Sequence, residues 1–453
     1  MTTKLQWVSH ASCLITHNDY FLLTDPWYCK KAFTSWTVKP PPYINLNFLI
    51  DLSKSGKLGI LISHHHFDHF DISFIKKLDQ NTPIFITDFK ENKEENLPCV
   101  KALYNCLVDL CSMKKVIEIM PDGHFDFFGP FKIMSLRRPA PYVIDGILLI
   151  ETDDCFIIHG ADCWGINESS YAGKILKQNK PKNKVSIIMG QAGTASGYPL
   201  IYDSFTEEEK IDILNKKTHK MIKNLYETSK TFGIDKILPY AHLSYVYFND
   251  IDFFTKYNYK PISGYEANKL INCDKFLEIH PSSIVIPNNN FQIINLIPSL
   301  NLLDCFGDNM MPEQIINFEI NNTHFKKLDD WINGLKFFIN SELEQNKIIE
   351  EDIDLKFKII IHRNKDENNI LYENEINFIN GTRNKTLKCS ETIIVNIING
   401  NIPFKDLLIG YLCKIYRNPP EYYNDMFLML LNQHSHKFFN CNIIDSEEYE
   451  FQE

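Results

Sequence analysis

The run Gly59-Ile60-Leu61-Ile62-Ser63 leads without a break into His64-His65-His66-Phe67-Asp68-His69. The first five residues read as a buried strand, and the apolar positions 72, 74, 75 and 78 predict a short helix over Ile72–Leu78. The histidines therefore lie on a loop between a strand and a helix. In extended backbone alternate side chains share a face, so His64 and His66 can converge on one cation while His65 points away. Asp68 and His69, at the turn into the helix, can serve an adjacent second position. The alternative is a polar surface loop with an accidental histidine run. A strand–HxHxDH–helix arrangement rarely arises by chance, and metal binding is the reading adopted.

The rest of the chain supplies the scaffold that such a loop needs. Leu5–Val8, Cys13–Thr16 and Tyr20–Thr24 predict short strands, closed by Asp25-Pro26. Further strands are expected at Ile84–Thr87, Val116–Met120, Phe131–Leu136, Ile147–Glu151, Phe156–His159, Val185–Met189 and Lys236–Pro239. The longest helix should open at Thr206-Glu207-Glu208-Glu209 and stop near Gly233. Many strands with interspersed helices favour a layered α/β architecture. Composition shifts at residues 280–292, which read as a linker. The expected domains are 1–285, catalytic, and 292–440, a smaller α+β unit, followed by an acidic tail at 441–453. In the second unit a helix is expected near Phe325–Leu343, strands at Leu355–His362, Ile370–Ile379 and Thr392–Ile398, and a helical end over Pro403–Gln433.

Charge and composition exclude several classes of function. With 47 basic and 57 acidic residues the net charge is −10, which argues against a broad phosphate-binding surface and so against nucleic acid as a partner. The N-terminus has no apolar signal core and no apolar run approaches 18 residues, so no membrane association is expected and the protein should be cytoplasmic. Twelve scattered cysteines without a CxxC pair suit a reducing compartment better than a disulfide framework.

The strand–HxHxDH–helix segment resembles the signature of the metallo-β-lactamase fold, which implies an αββα sandwich holding one or two divalent metals at its strand ends. The resemblance implies that Asp162, in His159-Gly160-Ala161-Asp162-Cys163, is a bridging aspartate. It also implies that His242, in Pro239-Tyr240-Ala241-His242, is the last histidine ligand. His64, His66, Asp68, His69, Asp162 and His242 are thus the expected metal ligands, with Asp68 and Asp162 also catalytic. The fold's third histidine belongs before the strand at 147–151, where this chain reads Arg137-Arg138-Pro139-Ala140-Pro141. Either His124 substitutes for it, or the first position is one ligand short and the centre is mononuclear.

A closer resemblance extends along most of the chain. Trp7-Val8-Ser9-His10-Ala11-Ser12-Cys13, Leu23-Thr24-Asp25-Pro26-Trp27, Asp145 to Glu151, His159 to Cys163, Ala192 to Pro199 and Arg417 to Tyr423 are similar to the catalytic part of the CMP-N-acetylneuraminate hydroxylase family. This implies an iron-dependent monooxygenase acting on a polar, anionic, sugar-nucleotide-like substrate. That family carries an N-terminal Rieske cluster, which needs Cys-x-His and Cys-x-x-His pairs. Neither pair occurs in this sequence, so a separate electron-transfer protein is expected as a partner. The competing expectation is a hydrolase of lactones or phosphoesters, like the ascorbate-phosphate lactonases of the same fold. An all-N/O ligand set suits Fe, with Zn or Mn as alternatives.

Four residues are candidates for substrate binding. Arg137 and Arg138 either clamp an anion or form a solvated edge. Gly193 and Ser196, in Gly190-Gln191-Ala192-Gly193-Thr194-Ala195-Ser196-Gly197, either line an N–H-rich anion loop or simply shape a tight turn. Cys163 is either a soft ligand or a buried packing residue, and His10 and Ser12 either face the site or are structural. The second unit, which loosely resembles a sterol-carrier-like domain, reads as a lid or dimerisation element.

Overall fold

The structure is a computed structural model. It describes residues 2–28, 32–38, 42, 44–87, 103–119, 124–136, 146–163, 165–193, 197–241, 244–248, 251–252, 262–280, 282–287, 291–295, 318–345, 353–364, 366–420 and 425–439. The strands of the first half are β1 (Lys4–Ser9), β2 (Ser12–His17), β3 (Tyr20–Thr24), β4 (Trp36–Val38), β5 (Leu58–Ile62), β6 (Ile84–Thr87) and β7 (Val116–Ile119). There follow β8 (Asp126–Phe128), β9 (Phe131–Leu136), β10 (Ile147–Glu151), β11 (Cys155–His159), β12 (Val185–Gln191) and β13 (Lys236–Tyr240). The remainder are β14 (Ser244–Phe248), β15 (Ile251–Asp252), β16 (Ile284–Ile286), β17 (Gln292–Ile294), β18 (Leu355–Arg363), β19 (Asp366–Phe378), β20 (Arg383–Ser390) and β21 (Cys413–Asn418).

Two sheets face each other. One has the order β17-β16-β1-β2-β3-β5-β6-β7 and the other β13-β12-β11-β10-β9-β8. Period-2 alternation explains why both faces of the second sheet are apolar. Leu148, Ile150, Ile157, Ile187 and Met189 point to the core between the sheets, with Leu5, Trp7 and Leu61 opposite. Their neighbours Ile147, Leu149, Phe156, Ile158 and Ile188 point outward beneath Leu176, Ile222 and Leu225. These last come from the helices Tyr171–Asn179 and Glu207–Phe232. On the outer face of the first sheet, Ile60 and Ile62 pack with Leu49, Phe74 and Ile75. The four layers are the αββα sandwich that the resemblance implies. The long helix starts at a Thr206–Glu209 capping box and ends at Gly233, whose φ of 61° closes the last turn.

The second unit is the sheet β19-β18-β20-β21 covered by the helices Asn322–Glu344 and Asp425–Phe439. It shares one apolar core with the sandwich: Trp331, Phe357, Ile393 and Phe427 cluster with Trp27, Phe33, Trp36 and Leu200. The seam is also hydrogen-bonded. Trp36 Nε1 donates to the Ile409 carbonyl at 2.8 Å, Ser35 Oγ donates to the Gly410 carbonyl, and Asp203 N donates to the Ile415 carbonyl at 2.7 Å.

Three expectations are corrected. Thr392–Ile398, expected as a strand for its β-branched residues, lies in the helix Glu391–Ile398, all of whose residues are buried. An apolar run buried on every side carries no period that separates helix from strand. The expected helical end over Pro403–Gln433 is a short helix at Asp406–Ile409, strand β21 and the helix Asp425–Phe439. The expected linker holds strand β16 and ends where β17 begins; these two strands pair at the edge of the first sheet, with β16 against β1. The acidic tail lies outside the described residues. The described cysteines form no disulfide, and no described helix is long and apolar enough to cross a membrane.

Candidate metal centre

One end of the sandwich gathers the ends of several strands. β5 delivers His64–His69, β11 delivers Asp162, β3 ends at Asp25, the β1–β2 turn carries His10, and β13 leads to Ala241. Four left-handed residues make these turns: His10 (φ 36°), Asp25 (φ 37°), Ala161 (φ 48°) and Ala241 (φ 54°). Such backbone is uncommon away from glycine and clusters at functional sites.

Asp25 organises the donors. It is fully buried, and its two oxygens accept from four groups. Oδ1 accepts from Ser63 N–H at 2.8 Å; Oδ2 accepts from Ser63 Oγ at 2.8 Å, His69 Nδ1 at 2.9 Å and His159 Nε2 at 2.9 Å. A carboxylate has about four lone-pair sites, so Asp25 is saturated. Three tautomers follow. His69 places its proton on Nδ1 and turns Nε2 toward the strand ends. Ser63 has spent its only hydrogen on Asp25, so at 2.9 Å its Oγ accepts from His64 Nδ1, which leaves His64 Nε2 as a lone-pair donor. His159 Nδ1 accepts from the Tyr240 hydroxyl at 2.6 Å, and that oxygen accepts Ala161 N–H at 2.8 Å, beside Asp162. A metal-ligating histidine held through its second nitrogen by a carboxylate is the arrangement that fixes ligand orientation.

The donor atoms face one another at ligand-to-ligand spacing. With metal–nitrogen and metal–oxygen bonds of about 2.0–2.2 Å, neighbouring ligand atoms stand roughly 2.9–3.6 Å apart. His64 Nε2 is 2.9 Å from His66 Nδ1 and 3.7 Å from Asp162 Oδ2. His69 Nε2 is 3.1 Å from Asp162 Oδ1 and 3.6 Å from Asp68 Oδ2, and His10 Nε2 is 3.3 Å from that same oxygen. Two groups of three emerge, His64–His66–Asp162 and His10–Asp68–His69, linked by Asp162. Despite these spacings, His69 Nε2, Asp68 Oδ1, Asp162 Oδ1 and both His10 nitrogens form no hydrogen bond although they are buried. Buried polar atoms are normally paired, so a cluster of orphans aimed at one space fits cations.

The electrostatics agree with this arrangement. Burial, with the charge of His69 nearby, pushes His64 down to about 4, so its ligating nitrogen is proton-free at neutral pH. Burial works against a charge on His69 as well, but Asp162, Asp68 and Asp25 overcome it and hold that imidazole well above its usual range. Asp25 and Asp162 are likewise buried, yet the adjacent histidines hold both below the usual carboxylate range.

The structure brings together His64, His66, Asp68, His69 and Asp162 of the expected set. His65 is buried but belongs to neither donor group. His242, Arg137, Arg138 and Ser196 lie outside the described residues. Gly193 is buried in the loop after β12. His124 is exposed, which weighs against its filling the missing histidine's place. Cys163 is buried and its Sγ donates to the Gly165 carbonyl at 3.1 Å, a packing role. Sequence reasoning passed over Asp25, Ser63, His159 and Tyr240. A single aspartate in a Asp-Pro turn carries no local sign that two histidines from other strands converge on it.

No protein-family model matches the chain. Its sequence is 24% identical over 246 residues to the cytidine monophosphate-N-acetylneuraminic acid hydroxylase of Xenopus laevis, covering 52% of this chain and 38% of the relative. It is 26% identical over 220 residues to the Sus scrofa protein of the same name, covering 47% and 46%. The chain is similar to these hydroxylases. The resemblance read from its motifs is thus also found by direct comparison, although the alignments cover less than half of either hydroxylase's own length. Among solved structures, a metallo hydrolase of Ignicoccus hospitalis superimposes with a TM-score of 0.36 at 15% identity, over 63% of this chain and 98% of that one.

Proposed function

We propose that this chain is a metal-dependent oxygenase that hydroxylates a polar, anionic, sugar-nucleotide-like substrate. The observation that carries the metal reading is the facing pair of donor groups, His64–His66–Asp162 and His10–Asp68–His69, with their buried orphan atoms. The similarity to the hydroxylases favours oxygenation over hydrolysis. Iron suits the N/O donor set and supplies the means to activate O₂. The chain's own residues do the remainder. Asp25 and Ser63 fix which imidazole nitrogens face the cation. Asp162 faces both donor groups and Asp68 faces one, so these two carboxylates are proposed to take part in the chemistry as well as in binding. Arg137, Arg138, Gly193 and Ser196 are proposed to hold the substrate's anionic group.

Monooxygenation combines substrate, O₂, two electrons and two protons to give the hydroxylated product and water. These 453 residues hold no Cys-x-His pair for a Rieske cluster, and the electrons are proposed to come from a ferredoxin-like or reductase partner. The test is anaerobic purification with metal analysis, followed by O₂ uptake with a chemical reductant and a CMP-sugar. Iron together with reductant-dependent O₂ consumption and a hydroxylated product supports the proposal. Zn or Mn with turnover of lactones or phosphoesters, and no O₂ uptake, replaces it with hydrolysis.

A further inference from the structure

We infer that His10 is a protein ligand of the second cation position, beside Asp68 and His69. This inference rests on the metal reading above and adds a ligand that the HxHxDH pattern does not contain. His10 is 1% exposed, and neither ring nitrogen makes a hydrogen bond. A histidine buried for structural reasons secures at least one of them, as His159 does through Asp25 and Tyr240.

The ring of His10 is positioned by its backbone and by aromatic neighbours. Its backbone carbonyl accepts from Trp7 Nε1 at 2.9 Å and from Ala241 N–H at 3.1 Å. The ring stands edge-on to Trp27 (centroids 5.4 Å apart, interplanar angle 86°) and to His69 (5.6 Å, 74°). Those contacts aim Nε2 at the space between Asp68 and His69. There it lies 3.3 Å from Asp68 Oδ2, in a direction that completes no hydrogen bond but at the spacing of two ligands on one ion. The strained φ of 36° is the backbone conformation that presents the ring there. With His10 as a third donor on this side, each position reaches three protein donors, with Asp162 counted at the first. The ion that fits is a divalent transition metal, since imidazole with carboxylate suits Fe, Mn, Co or Zn.

The experiment titrates the metal-stripped full chain with Co(II), reading stoichiometry by calorimetry and ligation by visible absorption. Wild type should take up two Co(II) per chain. His10→Ala should weaken one of the two tenfold or more and leave the other unchanged, with His10→Gln as the near-isosteric check on folding. His10→Cys should add a thiolate-to-cobalt charge-transfer band that wild type lacks, a signal that no structural role for residue 10 produces. If wild type binds Co(II) but His10→Gln keeps wild-type affinities and His10→Cys shows no new band, the assignment is overturned and the metal reading stands. If wild type takes up no Co(II), both are overturned.

Discussion

Replacing Asp25 with Asn should loosen the fold and weaken metal binding at both positions together. Asn matches Asp in size but exchanges one acceptor oxygen for an NH₂ donor. The carboxamide oxygen can still take the Ser63 N–H. The nitrogen then faces Ser63 Oγ, His69 Nδ1 and His159 Nε2, which all donate to Oδ2 in the native protein. Breaking a buried ion pair by removing one partner costs about 3–5 kcal/mol, and Asn keeps one acceptor, so roughly 3 kcal/mol of destabilisation is expected. To avoid the clash, His69 must move its proton to Nε2 and lose the lone pair that a cation needs. Ser63 is likewise free to turn its hydrogen toward His64 Nδ1, which reverses that tautomer as well. Loss of such an orienting partner typically lowers metal affinity 10–100-fold. Urea unfolding of the metal-free protein reads the first effect, and calorimetric titration with Fe(II) or Co(II) reads the second. A folded Asp25→Asn protein that binds both ions within twofold of wild type would refute the tautomer argument.

Four further outcomes are expected. Ser63→Ala leaves the Asp25–His69 bond in place, so it should weaken the His64–His66 position selectively, by about tenfold, in the same titration. His66→Ala and Asp68→Ala should each abolish metal at one position and eliminate activity while the circular dichroism spectrum is retained; full occupancy in both would sink the ligand assignment. Metal uptake near pH 7 should release a proton, because Asp162, Asp68 and Asp25 keep His69 protonated in the metal-free protein above the ordinary value near 6.5. Calorimetry in buffers of different ionisation enthalpy measures that release, and no dependence on buffer would contradict it. In the metal-free protein these pairs stabilise the fold fully below about pH 6.5, and that contribution fades as pH rises through the raised pKa of His69. Finally, a Cβ on Gly410 would sit 2.3 Å from the Phe33 carbonyl and 2.6 Å from that of Asp406. Gly410→Ala should therefore cost about 1–3 kcal/mol and raise hydrogen exchange along the seam near Trp36.

Local pattern carried much of the architecture. Strands such as Tyr20–Thr24, Ile84–Thr87, Phe131–Leu136 and Ile147–Glu151 fall where apolar runs and turn residues place them, since a strand's period of two and its flanking turns are written in neighbouring residues. The HxHxDH loop was legible for the same reason: alternate spacing and a strand end are local facts. What the chain order could not reveal is convergence. Asp25, Ser63, His159 and Tyr240 lie on four different strand ends, and His10 sits more than fifty residues from Asp68; only the stacking of two sheets makes one carboxylate the common acceptor for two histidines. The helix Glu391–Ile398 makes the same point in the second unit, because its β-branched residues favour a strand until burial on all sides overrides propensity. Sequence determined which residues are able to hold a metal. Tertiary structure decided which nitrogen of each histidine faces it, because a tautomer depends on the partner across space rather than on the neighbour along the chain.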